Sequence, residues 1–343
     1  MLTTILSGGL IGLIFGFILQ RTRFCLTGGF RDMYIARNNT LFYAFLIAIT
    51  VESIGVLSLI KLGIIGNPYE EFSVLGAIVG SYLFGIGIVL AGGCATGTWY
   101  RAGEGLLGSW VALFFYMTSA AAMKSGFLVP LNQLIAKRWV INDDLAGQLG
   151  IPVWYLLVFL VAITSFIVIR ELRKPSRQIA SLPSKYKGVR HYLFEKTYHK
   201  YFAGLLIGLV DFIAWPASQL TGRVGGLGIT TPSAHLISYI ITGDSKQLGW
   251  GVFLVLGIFL GSFLAAKGSR EFRWRLPDLS TIGKSTLGGI FMGIGASWAG
   301  GCTIGNGLTA TAIFSSKGWI ALPVTILGVW TASYIIFVKP NKN

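Results

Sequence analysis

Charged side chains are scarce in this chain. They make up 12% of its 343 residues, where soluble globular chains carry about 25%. That is too little polar surface to cover a soluble particle of this size, and it excludes a soluble globular fold. Histidine and cysteine are scarce too, with three of each. No C-x-x-C occurs, and His191, His199 and His235 lie away from the cysteines. Both absences argue against a metal centre or a dithiol–disulfide catalyst. Of thirteen acidic residues, only Glu52 and Asp211 fall inside apolar stretches. The other eleven are spread over loops and offer no catalytic candidate, so the chain does not read as an enzyme. The first apolar run has no basic segment ahead of it, so it is expected to be a span and not a cleaved signal.

What is there is apolar. Hydrophobic residues make up 53% of the chain, and the mean hydropathy is +0.68. Runs near the roughly 20 residues needed to cross a bilayer recur throughout. The expected fold is an all-α polytopic membrane protein of about nine transmembrane helices. They are placed at 2–19, 40–61, 73–92, 106–123, 152–169, 201–218, 249–266, 286–300 and 319–338.

The net charge of +15 would suggest nucleic acid in a soluble protein. In a membrane protein its distribution sets topology instead. The segment 170–200 holds nine Lys/Arg. With that loop in the cytoplasm and nine alternating spans, 21 of the 28 Lys/Arg fall inside. The expectation is an N-terminus outside and a C-terminus in the cytoplasm, with the basic loops near anionic lipid.

The phrase Ala91-Gly92-Gly93-Cys94-x-x-Gly97 returns as Ala299-Gly300-Gly301-Cys302-x-x-Gly305. Aligning each residue with the one 208 positions later gives nine identities over the eighteen positions from Gly80 to Gly97. A weaker echo links 9–13 with 205–209. The chain therefore divides into a first half at 1–169, a basic linker at 170–200 and a second half at 201–343. Five intervening spans make the two copies run oppositely through the membrane. Such inverted halves are a transporter architecture, with the substrate site where broken helices meet.

Paired glycines end a helix readily. Amides freed at membrane depth must face protein or a water-filled cavity, and there they attract anions. Cys94 and Cys302 would project their sulfurs beside those amides, making two half-sites for an anion with a soft atom. Gly92, Gly93, Gly97, Gly300, Gly301 and Gly305 shape the breaks. The competing reading is close helix packing around small inert thiols. It leaves the matching register of the two cysteines unexplained. The third cysteine, Cys25, lies in Arg21-Thr22-Arg23-Phe24-Cys25 beside Gly28-Gly29. Arg21 and Arg23 read either as topology anchors or as anion holders near the cytoplasmic exit. The second half has no matching cysteine, so the set is three sulfurs and not four. Glu52 and Asp211 read as proton carriers or as hydrogen-bonded packing elements.

An R-x-R-F-C motif followed by two G-G-C-x-x-G phrases resembles the YeeE/YedE family of bacterial inner-membrane sulfur-anion transporters, and its thiosulfate-uptake members most closely. The resemblance covers essentially the whole chain. It implies a helical bundle pinched at the middle, with short re-entrant half-helices bearing the thiols. Substrate would contact Cys25, Cys94 and Cys302 in turn, and no cofactor would be needed. It also implies a small cytoplasmic sulfur-carrier protein of the TusA type as partner. Two alternatives stand beside thiosulfate uptake. One is transport of another sulfur or selenium species. The other is a membrane sulfurtransferase that passes sulfur through persulfides.

Overall fold

A computed structural model describes residues 1–173, 188–196 and 198–339. Residues 174–187 and 197 of the expected linker at 170–200 lie outside the described residues. The first half contains α1 (Leu2–Thr22), α2 (Leu26–Ile35), α3 (Thr40–Lys61), α4 (Val74–Leu90), α5 (Ala95–Gly103), α6 (Leu107–Ser125), α7 (Val129–Ala136), α8 (Leu145–Leu149) and α9 (Val153–Leu172). Strands β1 (Glu71–Ser73) and β2 (Val140–Asn142) form one small antiparallel pair there. After α10 (Val189–Phe194), the second half contains α11 (Lys200–Gln219), α12 (Thr230–Thr242), α13 (Trp250–Gly268), α14 (Leu279–Trp298) and α15 (Ser316–Ser333). Two π-helical turns occupy Gly305–Ala310 and Tyr334–Val338. The chain is an all-α polytopic membrane protein.

Nine helices of 17 to 22 residues occupy the nine expected segments. Seven segments among the described residues are long and apolar enough to cross a membrane. An eighth qualifies when α6 and α7, bent by 71°, count as one. The ninth expected span, α14, is not among them: its first turns carry Ser280, Thr281, Lys284, Ser285 and Thr286. It packs between α4 and α6 and so has protein, not lipid, on two sides. Short helices follow the cysteine-bearing breaks, as expected: α2 after Cys25, α5 after Cys94 and the first π turn after Cys302.

Helix pairing exchanges between the halves. α1 packs on α13 as α11 packs on α3, α4 packs on α15 as α14 packs on α6, and α4 meets α14 at the centre. Glycine allows these approaches, because lipid supplies no hydrophobic drive and small residues let backbones touch. A Cβ on Gly12 would lie 2.1 Å from the Leu254 carbonyl oxygen, and one on Gly204 would lie 2.1 Å from that of Ala44. On the central seam, a Cβ on Gly80 would meet Gly295 O at 2.6 Å and one on Gly288 would meet Gly87 O at 2.8 Å. Gly80 and Gly288 are equivalent positions of the repeated phrase, and so are Gly87 and Gly295.

Candidate functional site

Both glycine pairs end their helices in the expected way. Gly92 and Gly300 each adopt φ +70°, left-handed and open to glycine without cost. Past the break Cys94 takes an extended conformation and caps α5, its Sγ accepting the Gly97 N–H at 3.3 Å. A Cβ at Gly97 would lie in ordinary contact with that sulfur, 3.5 Å away. Cys25 caps α2 in the same way, its Sγ accepting from Gly28 N at 3.5 Å.

The second break is built differently. The Cys302 carbonyl accepts from Asn306 N at 2.8 Å, and the chain enters a π turn at Gly305. Gly305 has open space on its Cβ side. The Asn306 side chain bridges the break, donating to Ala299 O at 2.9 Å and to Gly301 O at 3.3 Å. A side chain on Gly301 would collide with it at 2.4 Å.

A vestibule of about 960 Å³ opens on the face of the bundle where α1 begins. Cys302, Gly300, Gly301 and Gly305 line its floor, and Arg223, Lys317 and the glycine-rich stretch 225–229 line its walls. Arg223 donates to Gly225 O and Gly226 O, and its guanidinium lies 5.4 Å from the centre of the Trp250 ring. Lys317 reaches past Gly300 with its ammonium 3.9 Å from Asp143. Burial pushes the Asp143 carboxyl up, while Lys317 and a bond from Ser315 pull it down. Arg223 and Lys317 were not singled out in the sequence, because only the fold brings their loops beside Cys302.

Deeper, Cys94 borders a void of only about 10 Å³ closed by Leu19, Phe24, Ile207 and Ile304. Cys94 lies within electrostatic range of both Cys25 and Cys302. The three expected thiols are therefore brought together, all buried and all free. Arg101 was missed. Its Nη2 donates to Cys25 Sγ at 3.3 Å, its Nη1 donates to the Gly92 carbonyl, and Gly93 packs beside it.

Arg23 closes the opposite face. It sits at φ +51°, unusual for a residue with a side chain. Its guanidinium bonds Glu104 at 2.7 Å and Glu271 at 2.8 Å. Burial raises the Glu104 carboxyl against the pull of Arg23. At Glu271 desolvation is outweighed by the Gln20 bond and by Arg23 and Arg21, which hold it below its ordinary range. Arg21 also donates to Leu193 O and Lys196 O, tying α10 to the bundle.

Glu52 and Asp211 meet in one fully buried cluster beneath the vestibule wall. Trp215 Nε1 donates to Glu52 Oε1 at 3.0 Å. Asp211 accepts from Leu227 N at 2.7 Å and from the Thr309 hydroxyl at 2.8 Å. It thereby ties α11 to the glycine-rich stretch and to the π turn. Glu52 Oε2 has no donor among the described residues.

The family described as Sulphur transport matches this chain over residues 21–331. The thiosulfate transporter TsuA of Escherichia coli (strain K12) is 53% identical over 343 residues, which is 100% of this chain and 97% of that one. The thiosulfate transporter TsuA of Spirochaeta thermophila is 33% identical over 346 residues, covering 96% of this chain and 98% of the relative. Both are transporters and not enzymes. With three buried thiols, two of them at glycine breaks, inside a helical membrane bundle, and a family match spanning nearly its whole length, this chain belongs to the Sulphur transport family.

Proposed function

We propose that the protein takes up thiosulfate across the bacterial cytoplasmic membrane, passing it along the thiols of Cys302, Cys94 and Cys25 in that order. The carrying observation is the difference in open space beside two of the three buried sulfurs. Cys302 lines a vestibule of about 960 Å³, whereas Cys94 borders a void of about 10 Å³. The TsuA relatives supply the substrate reading. In this reading the vestibule faces outside, the C-terminus lies in the cytoplasm, and the halves 1–169 and 201–343 are inverted about the α4–α14 seam. The basic linker at 170–200 lies inside, near anionic lipid, where a TusA-like carrier protein would take the product.

The chemistry fits. The terminal sulfur of thiosulfate carries much of its charge and accepts weak bonds from neutral thiols. Weak, repeated contacts allow both entry and release. Uptake needs a source of energy. A dianion entering against 100 mV costs about 4.6 kcal/mol, equivalent to roughly a two-thousand-fold gradient. Glu52 and Asp211 are the candidate proton carriers, since a proton shared between them would give the unpartnered Glu52 Oε2 a hydrogen bond. Removal of product by the carrier protein is the other source.

The test is growth of a sulfur-source auxotroph on thiosulfate, with wild type and Cys→Ala variants at 25, 94 and 302 matched for expression. Rescue by wild type and failure of Cys94→Ala and Cys302→Ala is the expected result. Equal rescue by all three variants would make the thiols packing residues. Growth on a different sulfur source alone would keep the path and change the substrate. A gain of 32 Da on a path cysteine after turnover would move the reading to persulfide transfer.

A further inference from the structure

Between the second and third sulfurs stands a cation that bonds no carboxylate among the described residues. Arg101 makes three hydrogen bonds among the described residues, and no acceptor is a carboxylate: the Gly92 carbonyl, Cys25 Sγ and, at 3.4 Å, the Tyr100 hydroxyl. Glu104, on the next turn, is engaged by Arg23 instead. An arginine cannot shed its proton inside a protein. Glu104 acts on it only through space, and a half-buried guanidinium that no carboxylate bonds is costly and points to an ion path.

Its surroundings are those of an anion subsite. Of five guanidinium N–H groups three are used, leaving one on each terminal nitrogen. Such a fork fits two oxygens of one anion. Cys25 Sγ lies beside it, so an anion with an oxygen-bearing head and a sulfur tail meets donors suited to both ends. Bracing the break does not by itself require a charge. The corresponding position in the second half is Thr309, which is neutral and bonds Asp211. There Asn306 braces the glycine pair without any ion.

We propose that Arg101 and Cys25 form the inner binding subsite, with the guanidinium holding the oxyanion head of the transported sulfur anion and the Cys25 thiol facing its terminal sulfur. The identity of the substrate rests on the uptake reading above. The presence of an anion subsite does not.

The chain has only three cysteines, so Cys94→Ser with Cys302→Ser leaves Cys25 as a single thiol. In inside-out vesicles, its rates of modification by sulfonatoethyl and trimethylammonioethyl methanethiosulfonate are compared. The thiolate fraction enters both rates equally and cancels in their ratio, so the ratio reports the local field. The expected ratio favours the anionic reagent by about tenfold or more, which corresponds to about 1.4 kcal/mol. It should fall to near one in Arg101→Gln and persist in Arg101→Lys. Sulfate should slow the anionic reagent in the parent and not in Arg101→Gln. An unchanged ratio in Arg101→Gln overturns the proposal. Should that variant fail to assemble, the parent decides: no preference for the anionic reagent, or no slowing by sulfate, overturns it. A charge-dependent ratio with no thiosulfate uptake by wild type leaves the subsite standing and removes the substrate assignment.

Discussion

The two A-G-G-C-x-x-G breaks share a phrase and differ in almost everything that surrounds it. Around Cys94 the helix restarts at once as α5, the sulfur is tied to Gly97 N, and a guanidinium braces the glycine carbonyl. Around Cys302 the chain relaxes into a π turn, the sulfur has no hydrogen bond among the described residues, and an amide does the bracing. One break borders only a small void and the other lines a wide vestibule. Repetition specifies where the backbone breaks. The unrepeated neighbours decide what each break does.

Accessibility gives the sharpest way to break that comparison. A membrane-impermeant maleimide applied from the vestibule side should modify Cys302 far faster than Cys94. An opening free energy of about 3 kcal/mol at Cys94 corresponds to about a hundredfold difference in rate. Single-cysteine variants followed by mass spectrometry measure it, and equal rates would erase the distinction.

The seam should respond symmetrically. Gly80→Ala and Gly288→Ala each drive a methyl group into backbone closer than 3 Å, and overpacking of this kind costs typically 1–3 kcal/mol. Thermal unfolding in detergent should show similar losses for both. A large loss at one and none at the other would mean that the halves are not held equivalently.

The braces should not be symmetric. Asn306→Ala leaves the Ala299 and Gly301 carbonyls without their side-chain donor, a penalty of about 1–3 kcal/mol. Its counterpart Thr98 bonds Ala95 O within its own helix, so Thr98→Ala should cost about 1 kcal/mol or less. The same unfolding assay separates the two.

The smallest effect is on pH. Glu271 is held below its ordinary range, so it adds stability above the usual glutamate pKa of about 4.3 that is lost as pH falls through its folded value. Acid should therefore loosen the face closed by Arg23 before the vestibule face. The rate of proteolytic cleavage near α10 against pH would show it, and Glu271→Gln should abolish the effect.

Much of this was legible in the sequence. Apolar runs located the long helices, because a bilayer imposes length and apolarity directly, and among the described residues seven or eight segments are apolar enough to cross it. The repeated cysteines located both breaks, because φ +70° selects glycine. α14 could not be read as protein-enclosed, since its neighbours α4 and α6 come from the other half. Arg101, Asn306, Arg223 and Lys317 were invisible for a related reason. Their counterparts under the repeat are different residues, Thr309 for Arg101 and Thr98 for Asn306, so periodicity carried no hint of them. What Arg23 touches was likewise unreadable, since Glu104 and Glu271 approach it only through the fold.

The glycine contacts between α4 and α14 have a mechanical consequence. Where backbone rests on backbone, no side chain is left to swing, shorten or repack. Helices in such contact resist sliding, and the two breaks hang from opposite ends of the same rigid strut. The spacing between Cys302 and Cys94 then behaves as a ruler, with a stride fixed by main-chain geometry. That leaves the segments that flank the strut as the freer ones, the π turn and the glycine-rich stretch on one side and α5 with α2 on the other.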